Sequence, residues 1–171
     1  MILPVAALVA AQPVQAMVYL SIEQAQQLMF ARESLTPLAL NPSAAQIAAI
    51  ERSTGTRFQP ASLRVWRADS GYFFVDAVIG KHDLINYAVA IGSDGKIRAV
   101  EVLEYREAYG GEVRNARWRA QFIGRRYGDP VQVGRDIQNL SGATLSCQHL
   151  TDGIRRLLAL YALVIAGQAP A

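Results

Sequence analysis

Leu84-Ile-Asn-Tyr-Ala-Val-Ala-Ile91, Gly92-Ser-Asp-Gly95 and Ile97-Arg-Ala-Val-Glu-Val-Leu-Glu-Tyr105 form the stretch on which the fold turns. Two runs rich in β-branched and aromatic residues flank an Asp-Gly pair, which tolerates positive φ and marks a hairpin. Upstream, Leu63 to Ala68 and Tyr72 to Ile79 have the same composition, with Asp69-Ser70-Gly71 between them. Together these runs predict four antiparallel strands.

Helical signals bracket the strands. Ser21-Ile-Glu-Gln24 has capping-box spacing and predicts a helix to about Arg32. Asn41-Pro42 predicts a second start, carrying Ile47 and Ile50 inward and stopping before Gly55. Pro37 and Pro60 fall in connecting segments. After the strands, Glu107 to Gly111 reads as a loop, and Asn115 to Phe122 as a short helix with Trp118 and Phe122 on one face. Gly128-Asp-Pro130 is another turn. Leu150, Ile154, Leu157, Leu158 and Tyr161 recur at helical spacing, so a long amphipathic helix ends the domain, terminated by Gly167 and Pro170. The expected class is α+β: an antiparallel sheet flanked by helices.

Composition narrows the function. Of 171 residues, 51% are hydrophobic and 18% charged, which provides for a core and argues against disorder. A formal charge of +3 is too small to indicate nucleic acid. The single cysteine, Cys147, rules out an internal disulfide and a multi-cysteine metal site. With only His82 and His149, a protein zinc site is not expected, and no Gly-x-Ser-x-Gly elbow is present. Ile2 to Ala11 is almost wholly apolar, and Val14-Gln15-Ala16 resembles a small-x-small cleavage site. That run is shorter than the roughly 20 residues a membrane-spanning helix needs. Residues 1–16 therefore read as a secretory signal peptide although no Lys or Arg precedes the run, with 17–171 as the mature domain. The alternative is a buried first helix or strand.

The chemistry concentrates in Ser141-Gly-Ala-Thr-Leu-Ser146, directly before the last helix. Small residues there present hydroxyls where unpaired N–H groups and the positive end of the helix dipole favour an anion. By spacing alone, an ordinary hydroxyl cap supplied by Thr144 or Ser146 is the better account of the pattern, because such caps are common.

Those residues resemble the flavinylation motif of the FMN-binding domain family, which includes the Rnf G subunit and the C subunit of the sodium-pumping NADH:quinone reductase. The resemblance implies that Thr144 accepts FMN as a phosphoester, donated from FAD by a magnesium-dependent ApbE-type flavin transferase. It further implies that Ser141, Gly142, Ala143, Leu145 and Ser146 surround the anchor. Family members also carry a Glu-Thr-Pro-Gly-like loop and a segment ending near Gln-Phe-x-Gly; here stand Glu107-Ala-Tyr-Gly110 and Trp118-Arg-Ala-Gln-Phe-Ile-Gly124. Glu107 and Gly110 are thus implied cofactor neighbours, with the flavin between that loop and the last helix. The sequence departs from the family at Gln138, where an Asp is common, while Asp136 lies two residues upstream. It departs again at Ala108-Tyr109, which replaces Thr-Pro.

The resemblance implies an exported electron carrier, periplasmic or otherwise outside the cytoplasm, served by a membrane redox partner and not by nucleic acid. Two other classes remain open: a flavin-free binding module using Arg106, Arg114, Arg117, Arg119, Arg125 and Arg126, and a flavin-dependent reductase. Around the motif, Cys147 is read as a small buried hydrophobe and His149 as an exposed residue on the polar helix face. Lys81-His82-Asp83 is read as a polar turn with a flavin-edge contact as the other option.

Overall fold

The computed structural model describes residues 17–106 and 110–168. The signal-peptide reading of residues 1–16, as well as Glu107 and Pro170, lies outside the described residues. In chain order the elements are β1 (Met17–Val18), α1 (Ile22–Met29), β2 (Thr36–Pro37), α2 (Ala44–Thr54), β3 (Arg64–Ala68), β4 (Gly71–Ile79), β5 (Leu84–Gly92), β6 (Ile97–Tyr105), α3 (Ala116–Ala120) and α4 (Thr144–Leu160). All strand pairs are antiparallel, in the order β1-β6-β5-β4-β3-β2. The four expected strands form the body of the sheet, and two-residue strands close its edges.

The expected helix starts are present with one adjustment. Ser21 and Gln24 bond reciprocally at the head of α1. At α2 the cap is Ser43 and not Asn41, because Ser43 and Gln46 complete a second capping box of the same kind. Pro37 is not in a plain connection: it pairs with Trp66 in an edge strand, where its missing N–H removes no ladder bond. Asn115 caps α3 by accepting from the Arg117 N–H at 2.8 Å, and Trp118 and Phe122 pack edge-to-face with centroids 5.2 Å apart.

β5 is buried along almost its whole length because both faces of the sheet are covered. One face, with Phe74, Val78, Ile85, Tyr87 and Val89, packs under α4 and α2. The other, with Phe73, Val75, Ala88 and Leu103, packs against Ala25 and Phe30 of the α1 segment. α4 provides the largest helical share of the core: Leu150, Ile154, Leu157 and Leu158 are all buried, each contributing about 1.5–3 kcal/mol by area. Its closeness to the sheet depends on Gly153, where a Cβ would come within 2.5 Å of Tyr87 Oη and 2.8 Å of Val78 Cγ1. Beyond Leu160 the helix widens to a π turn at Tyr161–Ile165 and ends in a 3₁₀ turn that includes Gly167.

Candidate functional site

α4 begins within the predicted motif. Ala143 is the N-cap position, Thr144 is the first helical residue, and no side chain caps this end. The hydroxyl-cap reading of Thr144 and Ser146 therefore does not hold. The N–H groups of Thr144, Leu145 and Ser146 lack intrahelical acceptors by the geometry of a first turn, leaving the positive end of a 17-residue helix open.

Within the motif, exposure alternates with function. Ser141, Gly142, Thr144 and Leu145 are exposed, whereas Ala143 and Ser146 are buried. Gly142 has φ +84° and nothing within 4 Å of where a Cβ would sit, so the approach to the backbone is open there. Asn139 Nδ2 donates to Thr144 Oγ1 at 3.2 Å. The threonine oxygen thus accepts one bond and still carries its own proton at the surface.

Ser146 takes a different role from either one expected. Its Oγ lies 3.0 Å from Tyr105 Oη in the core, tying the end of β6 to the first turn of α4. Gly110 fills the remaining space: at φ +88°, a Cβ would lie 2.6 Å from Tyr105 Oη and 2.8 Å from Ser146 Oγ. The structure thereby brings Gly110 together with the 141–146 motif. The segment leading into the motif is also pinned, since Trp118 Nε1 donates to the Gln138 carbonyl at 2.6 Å and the Gln138 N–H donates to Gln121 Oε1 at 2.8 Å. These bonds place Trp118-Arg-Ala-Gln-Phe beside the motif, the second pair of segments that the sequence singled out.

His149 is not exposed on the polar face. It is half-buried, with Nδ1 2.5 Å from the Ile79 carbonyl and 3.0 Å from that of Gly80. Two carbonyls can only accept, so Nδ1 carries the proton and Nε2 is the nitrogen left available. Cys147 is fully buried, and burial pushes its thiol up in pKa. Lys81-His82-Asp83 is an exposed turn closed by a 2.7 Å bond from the Gly80 N–H to the Asp83 carbonyl.

The arginine cluster is partly committed to structure. Arg119 donates Nε to the Val100 carbonyl and Nη2 to Glu101 at 2.7 Å, and it also contacts the Arg114 carbonyl. Arg114 stacks its guanidinium 3.6 Å over the Tyr19 ring, and Arg106 pairs with Glu104 at 2.9 Å. Arg125 Nε donates to the Gln121 carbonyl at 3.4 Å, so Arg106, Arg114, Arg119 and Arg125 are all engaged with the domain's own groups.

Beside α4 on the flank facing β4 and β5 lies a groove of about 540 Å³ lined by Asp76, Ile79, Leu84, His149, Asp152 and Arg156 among others. Asp76 is buried at its floor, accepting from Ser62 Oγ at 2.7 Å and from Tyr87 Oη at 3.2 Å. The sequence reading missed Asp76, Tyr105 and Asn139. Asp76 carried a visible signal, being the one carboxylate in the apolar run Tyr72 to Ile79. Tyr105 and Asn139 carried none, because their roles depend on partners 41 and five residues away.

Residues 80–159 match the family model described as the FMN-binding domain. No curated protein matches the chain. The matched range runs from the end of β4 through α4, and it includes Tyr105, Gly110, Trp118 and the whole 141–146 motif. Among the described residues, no helix is long and apolar enough to cross a membrane.

Proposed function

We propose that the chain, whose residues 80–159 match the FMN-binding domain model, is an extracytoplasmic flavoprotein that carries electrons on FMN esterified to Thr144. The supporting observation is the placement of Thr144: an exposed hydroxyl on the first residue of a helix whose N-terminus no side chain caps.

The residues present fit such a group. The Thr144 oxygen would attack the FMN phosphorus of FAD, its proton would leave, and the bond to AMP would break, so that AMP departs as the second product. Asn139, already donating to Oγ1, holds the hydroxyl outward for that attack. The phosphodiester formed has one negative charge, and the open N–H groups of Thr144, Leu145 and Ser146 offer it hydrogen bonds at the positive helix end. Ser141 and Gly142 leave its approach uncrowded, while Ala143 and Ser146 bind the first turn to the core. Gly110 packs closely on Ser146 at this end of the helix. Bound FMN supplies the chemistry of accepting electrons in pairs and releasing them singly.

Export is supported by the apolar 2–11 run and the small-x-small residues at 14–16. A covalent tether keeps the cofactor from diffusing away after export, which suits a relay between a membrane redox donor and a second partner. The flavin transferase is the partner needed for maturation. Intact mass after co-expression with that transferase tests the reading: one FMN less one water is gained by the native chain, and nothing by Thr144→Ala. An unmodified native chain in the presence of active transferase and FAD overturns it.

A further inference from the structure

The groove beside α4 holds charges that the fold leaves uncompensated. At its floor Asp76, 5% exposed, accepts only from neutral hydroxyls: Ser62 Oγ reaches Oδ1 at 2.7 Å and Tyr87 Oη reaches Oδ2 at 3.2 Å. Burial, with the Asp76 charge beside it, pushes the Tyr87 pKa well up, so the phenol keeps its proton and donates it. A carboxylate offers about four lone-pair sites, and two hydroxyls fill half of them. They bind the charge without neutralising it, which is the situation in which a buried carboxylate gains most from a cationic partner.

Two cations line the same groove beyond ion-pair reach of that carboxylate. Among the described residues, neither Arg57 nor Arg156 has a carboxylate within ion-pair distance. The other acid in the lining, Asp152, is committed elsewhere: it accepts from Arg155 Nη1 at 3.3 Å and from Gln148 Nε2 at 3.2 Å. The fold sets this spacing. Asp76 and Tyr87 are cross-strand partners, and α4 crosses closely over Tyr87 at Gly153. Arg156 follows three residues later, roughly 4.5 Å along the axis. The remaining wall is apolar: Ile79, 62% exposed, and Leu84, 44% exposed, are paired at the end of the β4–β5 hairpin. The volume of about 540 Å³ lies within the roughly 300–1,000 Å³ typical of small-molecule sites.

We propose that this groove binds a small aliphatic zwitterion of the α-amino-acid class, its ammonium on Asp76, its carboxylate on Arg156 and Arg57, and its side chain against Ile79 and Leu84. Both charges are needed. An anion alone meets the Asp76 carboxylate at the floor, and a cation alone leaves two guanidinium groups without a partner. An α-amino acid carries its ammonium and carboxylate on neighbouring atoms, with the side chain directed away from both. The site is independent of the Thr144 anchor and stands whether or not that residue carries flavin.

Titration of the full chain with free leucine, followed by calorimetry and by Tm, tests the site. Leucine should bind and raise Tm with concentration, as a ligand of the folded state does. Isocaproate, which lacks the ammonium, and isoamylamine, which lacks the carboxylate, should each bind at least about tenfold more weakly, the cost of one charge-assisted contact. Removing the ammonium from the ligand probes Asp76 without disturbing the core around it. Arg156→Gln and Leu84→Asp should also weaken leucine binding at least about tenfold. Neither side chain is fully buried, and Tm without ligand checks that both variants fold. Leu28→Asp, exposed on α1 at the far face of the sheet, should leave the affinity unchanged. Thr144→Ala should bind leucine as the native chain does, which separates this site from the anchor. No binding of leucine, equal binding of either half-ligand, or an affinity unmoved by both groove variants overturns the inference, whatever the state of Thr144.

Discussion

Replacing Gly110 by alanine tests whether the end of β6, Gly110 and the first turn of α4 form one packed unit. The magnitude follows from two features of that residue. Gly110 sits at φ +88°, where an L-residue is disfavoured by about 1–2 kcal/mol. The new Cβ would also lie 2.6 Å from Tyr105 Oη and 2.8 Å from Ser146 Oγ, both buried and bonded to each other, so relief requires shifting the loop or breaking that bond. Overpacking of this kind costs about 1–3 kcal/mol, giving a loss of about 2–5 kcal/mol in all. For a domain of this size each kcal/mol moves Tm by roughly 2–4 °C, so calorimetry should find a fall of roughly 4–20 °C. The same substitution in a Ser146→Ala, Tyr105→Phe background should be cheaper, because both oxygens that it meets are gone. A coupling of about 1–3 kcal/mol is expected between the sites. A Tm within about 2 °C of the native chain, or strictly additive changes, would refute the packing described here.

Other consequences can be measured with equal directness. Burial raises the Cys147 pKa and shields its sulfur, so maleimide at pH 8 should label the native chain far more slowly than the chain in denaturant; equal rates would contradict the burial. The Glu33 carboxyl is held below its usual pKa by the Ser70 hydroxyl at 2.6 Å and the Ser70 N–H at 2.8 Å. A depressed folded-state value contributes stability above the unfolded pKa of about 4.3 and loses it as pH falls through the folded value. The Tm difference between the native chain and Glu33→Gln should therefore be present at pH 7 and vanish on titration towards pH 3; a difference independent of pH would refute it. Trp118→Phe removes the donor to the Gln138 carbonyl, and the lost hydrogen bond should cost about 0.5–1.5 kcal/mol in urea unfolding with an unchanged m-value. An unchanged midpoint would show that the bond does not hold the motif segment.

The sheet was legible in the sequence wherever local chemistry decides it. Asp94-Gly95 and the apolar runs around it set the β5–β6 hairpin, and the capping box at Ser21 set α1. Where two start signals competed, at Asn41-Pro42 and Ser43, the reciprocal bond with Gln46 prevailed, because it satisfies two orphan groups where a lone cap satisfies one. The position of Thr144 at the start of the last helix was legible from the motif, but its surroundings were not. Ser146 and Tyr105 meet across 41 residues, and His149 reaches carbonyls 70 and 69 residues away. Helical spacing alone puts His149 on the polar side, and only the β4–β5 turn packed there makes it half-buried. No periodicity reports such a contact, since it follows from where the sheet places the Ile79–Gly80 end against α4.

The departure at position 138 has no bearing on how the motif segment folds. The Gln138 backbone is held on both sides, by Trp118 Nε1 at its carbonyl and Gln121 Oε1 at its N–H, while the residue itself is exposed. Any side chain of moderate size satisfies those bonds, so Gln in place of Asp changes nothing that holds the motif. Asp136 is no simple replacement: its Oδ2 is buried without a hydrogen-bond partner, and Ile137, fully buried, separates it from the motif segment. The side chains that this segment presents at the surface are therefore those of Gln138, Asn139, Ser141, Thr144 and Leu145. A negative charge at position 138 is not among them. Under the proposed function, Thr144 is then selected by the shape of this loop and the open helix end, and not by a charge at position 138.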